Sequence, residues 1–357
     1  MTSPASPAAV SADRHRLDPE DMHGAIAAFH GHLREGWVRG AAAESFGLTA
    51  DGLKGVVICG MGGSAIGGDL LRTLAEPEAP VPVQVVRGYT MPGWVGADTL
   101  VVASSYSGGT EETLSCFEAA QACGARIVAV ASGGDLMGRA EAAGLPRIAI
   151  PGGLQPRAAL GYSLGALLRL GRALGLLALP DGDFASAVDE AEARGRRYAA
   201  DGDHEAGRLA DDLHGRLPVV YSGAGLLEAV NMRWRTQLHE NAKALAYGNL
   251  LPELDHNEIM GFEAAPAEIL ERLAVVVLRD AEEHPQVQRR VAATQAIVEP
   301  RVALWQEVRS EGVNRLSRLL SLVQLGDWTS YWLAMRQGVD PTPVESIQRL
   351  KATLAEA

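Results

Sequence analysis

From Gly55 onward the chain keeps a rhythm: a short unbroken apolar run, a break of Gly and Ser, then a longer amphipathic stretch. Val56-Val57-Ile58-Cys59, Val83-Gln84-Val85-Val86, Leu100-Val101-Val102-Ala103, residues 127–131 and Arg147-Ile148-Ala149-Ile150 are the apolar runs of the first half. Runs of this kind predict strands buried on both faces, as in a parallel sheet. Residues 65–74 and about 111–122 predict helices between them. Pro180-Asp181-Gly182-Asp183 then punctuates the chain, and 184–213, rich in Ala, Glu and Arg, predicts a helical connection. The rhythm resumes with Leu217-Pro218-Val219-Val220-Tyr221 as a strand, Ser222-Gly223-Ala224-Gly225 as a turn, and a helix from Leu226 towards Lys243. Further strands are predicted at 273–278 and 302–304, with helices near Val291, over 316–337 and over 344–354. Alternation of strand and helix in both halves predicts an α/β fold of two domains, each a parallel sheet flanked by helices. The expected division is a disordered tail at 1–17, a first domain at 18–179, the helical connection at 180–215 and a second domain at 216–357.

At 357 residues the chain is long enough for two such cores. Its net charge of −12 argues against general nucleic-acid binding, which needs Lys and Arg against phosphates. An anionic small molecule is still admissible, because a local pocket can oppose the global charge. The opening residues lack the basic start and apolar run of a secretory signal. No stretch reaches the ~18 uninterrupted apolar residues of a membrane span, so a cytoplasmic location is expected. Cys59, Cys116 and Cys123 form no CxxC pair. The last two share one face of the predicted helix, and buried structural thiols are expected. The histidines show no HExxH or HxxEH spacing, so no metal site is expected.

Candidate chemistry gathers in three places. Gly60-Met61-Gly62-Gly63-Ser64 follows the first strand and opens a helix, the arrangement that aims backbone N–H groups at an anion. Its alternative reading is tight helix–strand packing. Ser104-Ser105-Tyr106-Ser107-Gly108-Gly109-Thr110 follows the third strand and opens another helix, so Ser105, Ser107 and Thr110 supply hydroxyls where N–H groups converge. A plain helix cap accounts for Thr110 but leaves Ser105 and Ser107 unexplained. The third place is 237–243 with 252–258, dense in titratable groups. Glu240 alone reads as a solvated helix face, and His256 alone as a surface histidine. Arg157, after Gln155-Pro156, is a cation at the expected start of a helix, where the dipole disfavours it. It is either turned towards a ligand or a plain surface arginine.

These segments, in this order with Gln155-Pro156-Arg157-Ala158, Glu240-Asn241-Ala242-Lys243, Asp255-His256-Asn257-Glu258 and Gly338-Val339-Asp340-Pro341-Thr342-Pro343-Val344, resemble the bifunctional phosphoglucose/phosphomannose isomerase family of the sugar isomerase (SIS) fold. The resemblance covers nearly the whole chain beyond the tail. It implies an aldose–ketose isomerase without cofactor or metal, working as a homodimer on a sugar-phosphate substrate. It further implies that Gly63, Ser64, Ser105, Ser107 and Thr110 bind the phosphate, and that Glu240 shuttles the proton between C1 and C2. Arg157 would stabilise the enediolate. His256, supplied by the neighbouring subunit, would open the sugar ring, with Lys351 near the ring oxygen. Thr342 is a candidate for shaping the room around C2 that mannose use requires. Two departures stand out: Gly109 and His239 each occupy a position where the family usually shows Asn. Two other readings stay open, a sugar-phosphate sensor and an isomerase of a different sugar phosphate, since fold alone does not choose among them. A sensor would need the phosphate loops but not Glu240, Arg157, His256 and Lys351 together.

Overall fold

A computed structural model describes residues 16–355. The expected tail at 1–17 lies almost wholly outside the described residues, and Leu17, at its end, is buried in the core. Strands β1 (Gly55–Cys59), β2 (Val83–Val86), β3 (Thr99–Ser104), β4 (Arg126–Ala131) and β5 (Arg147–Ala149) form one sheet in the order β2-β1-β3-β4-β5. Strands β6 (Leu217–Gly223), β7 (Tyr247–Leu251), β8 (Leu273–Arg279) and β9 (Leu304–Arg309) form a second in the order β7-β6-β8-β9. Every pairing is parallel, with Val57 opposite Val101 and Val101 opposite Ile127 in the first sheet. β1, β3 and β8 are buried at every position, which is why their sequences are unbroken apolar runs.

The helices that matter here are α1 (Gly62–Ala75) after β1, α2 (Glu111–Ala122) after β3, α3 (Leu160–Leu174), α4 (Glu228–Glu240) after β6, α5 (Arg315–Gln337) and the last, α6 (Glu345–Ala355). α3 crosses the helix Phe29–Gly40 backbone to backbone: a Cβ on Gly165 would fall 2.3 Å from the Leu33 carbonyl oxygen, and one on Gly36 2.2 Å from that of Tyr162. α5 is buried almost from end to end and packs on α4 and on the helices Asp181–Ala199 and Glu205–Leu213. The largest apolar cluster therefore runs through both halves, joining Ile58, Leu164, Val220, Val276 and Trp328. No described helix is long and apolar enough to cross a membrane.

Several local expectations are corrected. The stretch 184–213 is not one helix; it breaks at 200–204, where Asp201-Gly202-Asp203 disfavours helix and the His204 ring accepts the Gly207 N–H to start the next one. β7 was not expected. It is a half-exposed edge strand, Tyr-Gly-Asn-Leu-Leu, and carries neither a buried run nor an alternation. The strand expected at 302–304 lies at Leu304–Arg309, another edge with mixed polarity. Cys116 is buried, but α2 ends before Cys123, which leaves that thiol exposed.

In each sheet the chain steps from its first strand to one side and then returns to the other. The first sheet thus has a switch point between β1 and β3, where the turns after those strands diverge and leave a crevice.

Candidate active site

The two turns at this switch point are 60–64 and 105–110. Met61 is the N-cap of α1 and Thr110 that of α2, and neither N-terminus has a side-chain cap among the described residues. Their first N–H groups are left for another acceptor, the arrangement that binds anions. The plain capping reading of Thr110 is therefore set aside: its hydroxyl lies 2.9 Å from Ser105 Oγ instead. Ser105, almost fully buried, also accepts the Gly108 N–H at 3.1 Å, and Ser107 Oγ accepts the Gly109 N–H at 3.3 Å. Ser64 Oγ accepts the Tyr106 N–H at 2.9 Å, which ties the first turn to the second. Gly108 holds a left-handed φ of 73°, and a Cβ there would fall 1.8 Å from the Gly133 carbonyl oxygen. The turn can take that shape only with glycine. Gly109 faces open space, so a side chain at that position has room.

The first turn also abuts the segment before α3. A Cβ on Gly63 would fall 2.7 Å from the Pro156 carbonyl oxygen, which places Arg157 beside this turn. Arg157 lies in a turn ahead of α3 rather than on it, and it is buried, so the surface-arginine reading fails. Its guanidinium is held on every side. Nε donates to Asn241 Oδ1 at 2.6 Å, and Nη2 donates to the carbonyls of Pro341 (2.6 Å) and Thr342 (2.9 Å). Nη1 reaches Glu240 Oε2 at 3.4 Å. Burial pulls the Arg157 pKa down, and the Glu240 carboxylate opposes the shift. Asn241, fully buried, completes the support by donating to Ser330 Oγ at 2.9 Å. Behind it a buried ion pair, Arg233–Asp327 at 2.7 Å, also reaches the Arg157 carbonyl through Arg233 at 3.1 Å.

Glu240 ends α4 and is partly exposed. It opens on a cavity of about 730 Å³ between the end of α4 and the start of α6, shared with Lys243, Asp340 and the apolar Val344 and Ile347. His239, next to Glu240, turns to the backbone: its Nε2 lies 2.9 Å from the Ala246 carbonyl oxygen.

Contacts thus link Gly63, Ser64, Ser105, Ser107, Thr110, Arg157 and Glu240 in one region of the fold, and of these Glu240 lines the cavity. His256 and Lys351 do not join it within one chain. His256 is exposed on the turn after β7, between two anchored carboxylates. Asp255 takes Arg290 at 3.0 Å and Thr294 at 2.8 Å, and Glu258 takes Asn249 at 2.7 Å and the Tyr221 hydroxyl. Lys351 is exposed on α6, away from the cavity wall. Sequence reasoning missed the amide of Asn241, the carbonyls of Pro341 and Thr342, and the Arg233–Asp327 pair. Each acts through a contact distant in sequence that no local pattern signals.

A family model described as the bacterial phospho-glucose isomerase C-terminal SIS domain matches residues 202–354. The chain is 43% identical over 315 residues to a bifunctional phosphoglucose/phosphomannose isomerase of Caldicellulosiruptor bescii, covering 87% of this chain and 93% of that protein. It is 37% identical over 302 residues to the enzyme of the same name from Aquifex aeolicus, covering 84% and 90%. The C-terminal domain of glucosamine-fructose-6-phosphate aminotransferase from Francisella tularensis shares the fold, with a TM-score of 0.68 at 14% identity over 90% of this chain and 98% of that one. With this likeness spanning both sheets and the crevice between β1 and β3, the chain belongs to the bifunctional phosphoglucose/phosphomannose isomerase family.

Proposed function

We propose that the chain interconverts glucose 6-phosphate and mannose 6-phosphate with fructose 6-phosphate through a cis-enediolate, in the cytoplasm and as a homodimer. The observation that carries this reading is the junction of two uncapped, hydroxyl-bearing helix N-termini with an Arg157–Glu240 pair at 3.4 Å. The phosphate occupies the loops of Gly63, Ser64, Ser105, Ser107 and Thr110. Glu240 then removes the C2 proton of the open-chain aldose, and the electron pair passes to the carbonyl oxygen at C1. Arg157, buried and fixed, offers its charge where the enediolate oxygens develop. Return of the proton to C1 gives the ketose; return to the opposite face of C2 gives the epimeric aldose. The backbone of Thr342 holds Arg157, which supports a place for that residue beside C2.

Ring opening is assigned to His256 of a second copy, with Lys351 near the ring oxygen. Two observations support a partner. The His256 ring makes no hydrogen bond or ion pair with a described residue, and Ile347, Leu350 and Leu354 expose one apolar face of α6. A sensor needs the phosphate loops alone. The buried support built around Arg157 favours catalysis instead.

The test is to equilibrate the purified chain with fructose 6-phosphate in EDTA and measure glucose 6-phosphate and mannose 6-phosphate separately. Both aldoses should form, and Glu240→Gln should abolish both. Tight binding of sugar phosphates without either product would favour the sensor.

A further inference from the structure

Lys243 holds a left-handed backbone just past the end of α4. α4 stops at Glu240, and the Ala244 N–H closes back on the Leu238 carbonyl at 3.1 Å, a turn one residue wider than a Schellman turn. A left-handed residue after a helix is usually Gly or Asn, because a Cβ is strained there. Here it is Lys243, with φ 54°; among the described residues Asp21 is the other non-glycine in that region. A lysine kept at a strained position beside a candidate site calls for a reason in its side chain.

The side chain supplies one. Lys243 Nζ donates to the Glu240 carbonyl and, at 3.1 Å, to the Pro341 carbonyl. The Pro341 oxygen is the same one that receives Arg157 Nη2 at 2.6 Å. The two cations therefore sit within about two hydrogen-bond lengths of each other across one carbonyl. An ammonium has three donors, so after these two bonds one remains. Lys243 also lines the cavity with Glu240. Its partners are neutral carbonyls, whereas Arg157 faces Glu240 directly, so the Lys243 charge is not spent on a carboxylate at close range.

This difference bears on the reaction proposed above, on which the inference rests. When Glu240 takes the substrate proton, negative charge leaves the carboxylate and appears on the oxygens at C1 and C2. A cation fixed by carbonyls keeps its bonds through that transfer and meets the new charge without reorganising. We propose that Lys243 is a further catalytic residue, a second cation that works with Arg157 on the enediolate oxygens. Partial burial and the neighbouring Arg157 hold its ammonium below its ordinary pKa.

Lys243→Gly separates chemistry from folding, because glycine relieves the left-handed backbone while removing the cation. Two probes report on the site: an aldonate 5-phosphate, whose carboxylate imitates the enediolate, and an alditol 6-phosphate, which carries the phosphate but no such anion. The variant should lose about 100-fold in kcat and about 30-fold in aldonate affinity, with alditol affinity within about threefold of wild type. Lys243→Met should behave the same way and stands in if the glycine variant does not fold. A kcat within about threefold of wild type in the folded variant overturns the proposal. So does an equal loss for both probes, which marks a structural role. A wild-type chain that turns over neither aldose overturns the isomerase reading itself and is distinguishable from either result.

Discussion

At the scale of single residues, the site is set by how Arg157 is held rather than by its presence. All four of its bonds go to groups from distant segments, Glu240, Asn241, Pro341 and Thr342. A guanidinium is planar and its fork is rigid, so these bonds fix where its charge points. Asn241→Ala removes the Nε partner and leaves a buried N–H unpaired. The fold should lose about 1–3 kcal/mol, read in urea unfolding, and kcat should fall more than KM rises, because the cation loses its aim at the transition state. Asn241→Asp would keep a hydrogen-bond acceptor but add a carboxylate to Arg157, so its activity should not recover. Recovery to wild-type rate in that variant would mean that the amide merely fills space.

At the scale of elements, legibility follows burial. β1, β3 and β8 are readable because helices cover both faces and every side chain must be apolar. β7 and β9 are edges with half their surface exposed, so other residues are tolerated and the pattern fades. The same contrast runs through the site. Ser105 and Thr110 sit in a local turn whose hydroxyl spacing is visible in the sequence. Asn241 and Lys243 gain their meaning from the 338–343 segment, which only the fold brings beside them. The strained φ of Lys243 leaves no trace in composition at all.

Elements also carry a pH response. Asp280, at the end of β8, is buried and accepts from Ser310, from the Glu282 N–H at 2.9 Å and from Arg318 Nε at 3.0 Å. Burial alone would raise its pKa, but these three donors outweigh it and the net shift is downward. As pH falls below the ordinary carboxyl value of about 4, the unfolded chain takes up the proton first. The stabilisation is thus complete above that pH and is lost on acidification. Thermal midpoints should drop from neutral pH to acid in the wild type, and Asp280→Asn should start lower and drop less. Equal slopes in the two proteins would show that Asp280 does not anchor this corner.

At the scale of the whole molecule, two sheets of similar topology differ in chemistry. The switch point between β1 and β3 is lined with hydroxyls, whereas in the matching cavity between β6 and β8 three carboxylates, Asp280, Glu282 and Glu283, outnumber the cationic Arg315, with His284 beside them. Carboxylates repel a phosphate, so each chain should bind one sugar phosphate. Calorimetric titration with an alditol 6-phosphate should give a stoichiometry near one, and a value near two would restore the second sheet as a binding site. The acidic net charge of the chain sharpens the same point, because an anion is welcome only where helix N-termini and Arg157 oppose the overall field.

The central claim is proton transfer through an enediolate by Glu240, and solvent isotope incorporation tests it most directly. In D2O, glucose 6-phosphate formed from fructose 6-phosphate should carry deuterium at C2, and Glu240→Gln should slow both isomerisation and labelling by about 100-fold or more. Aldose formed without any label, or a Glu240→Gln variant that keeps the wild-type rate, would contradict it.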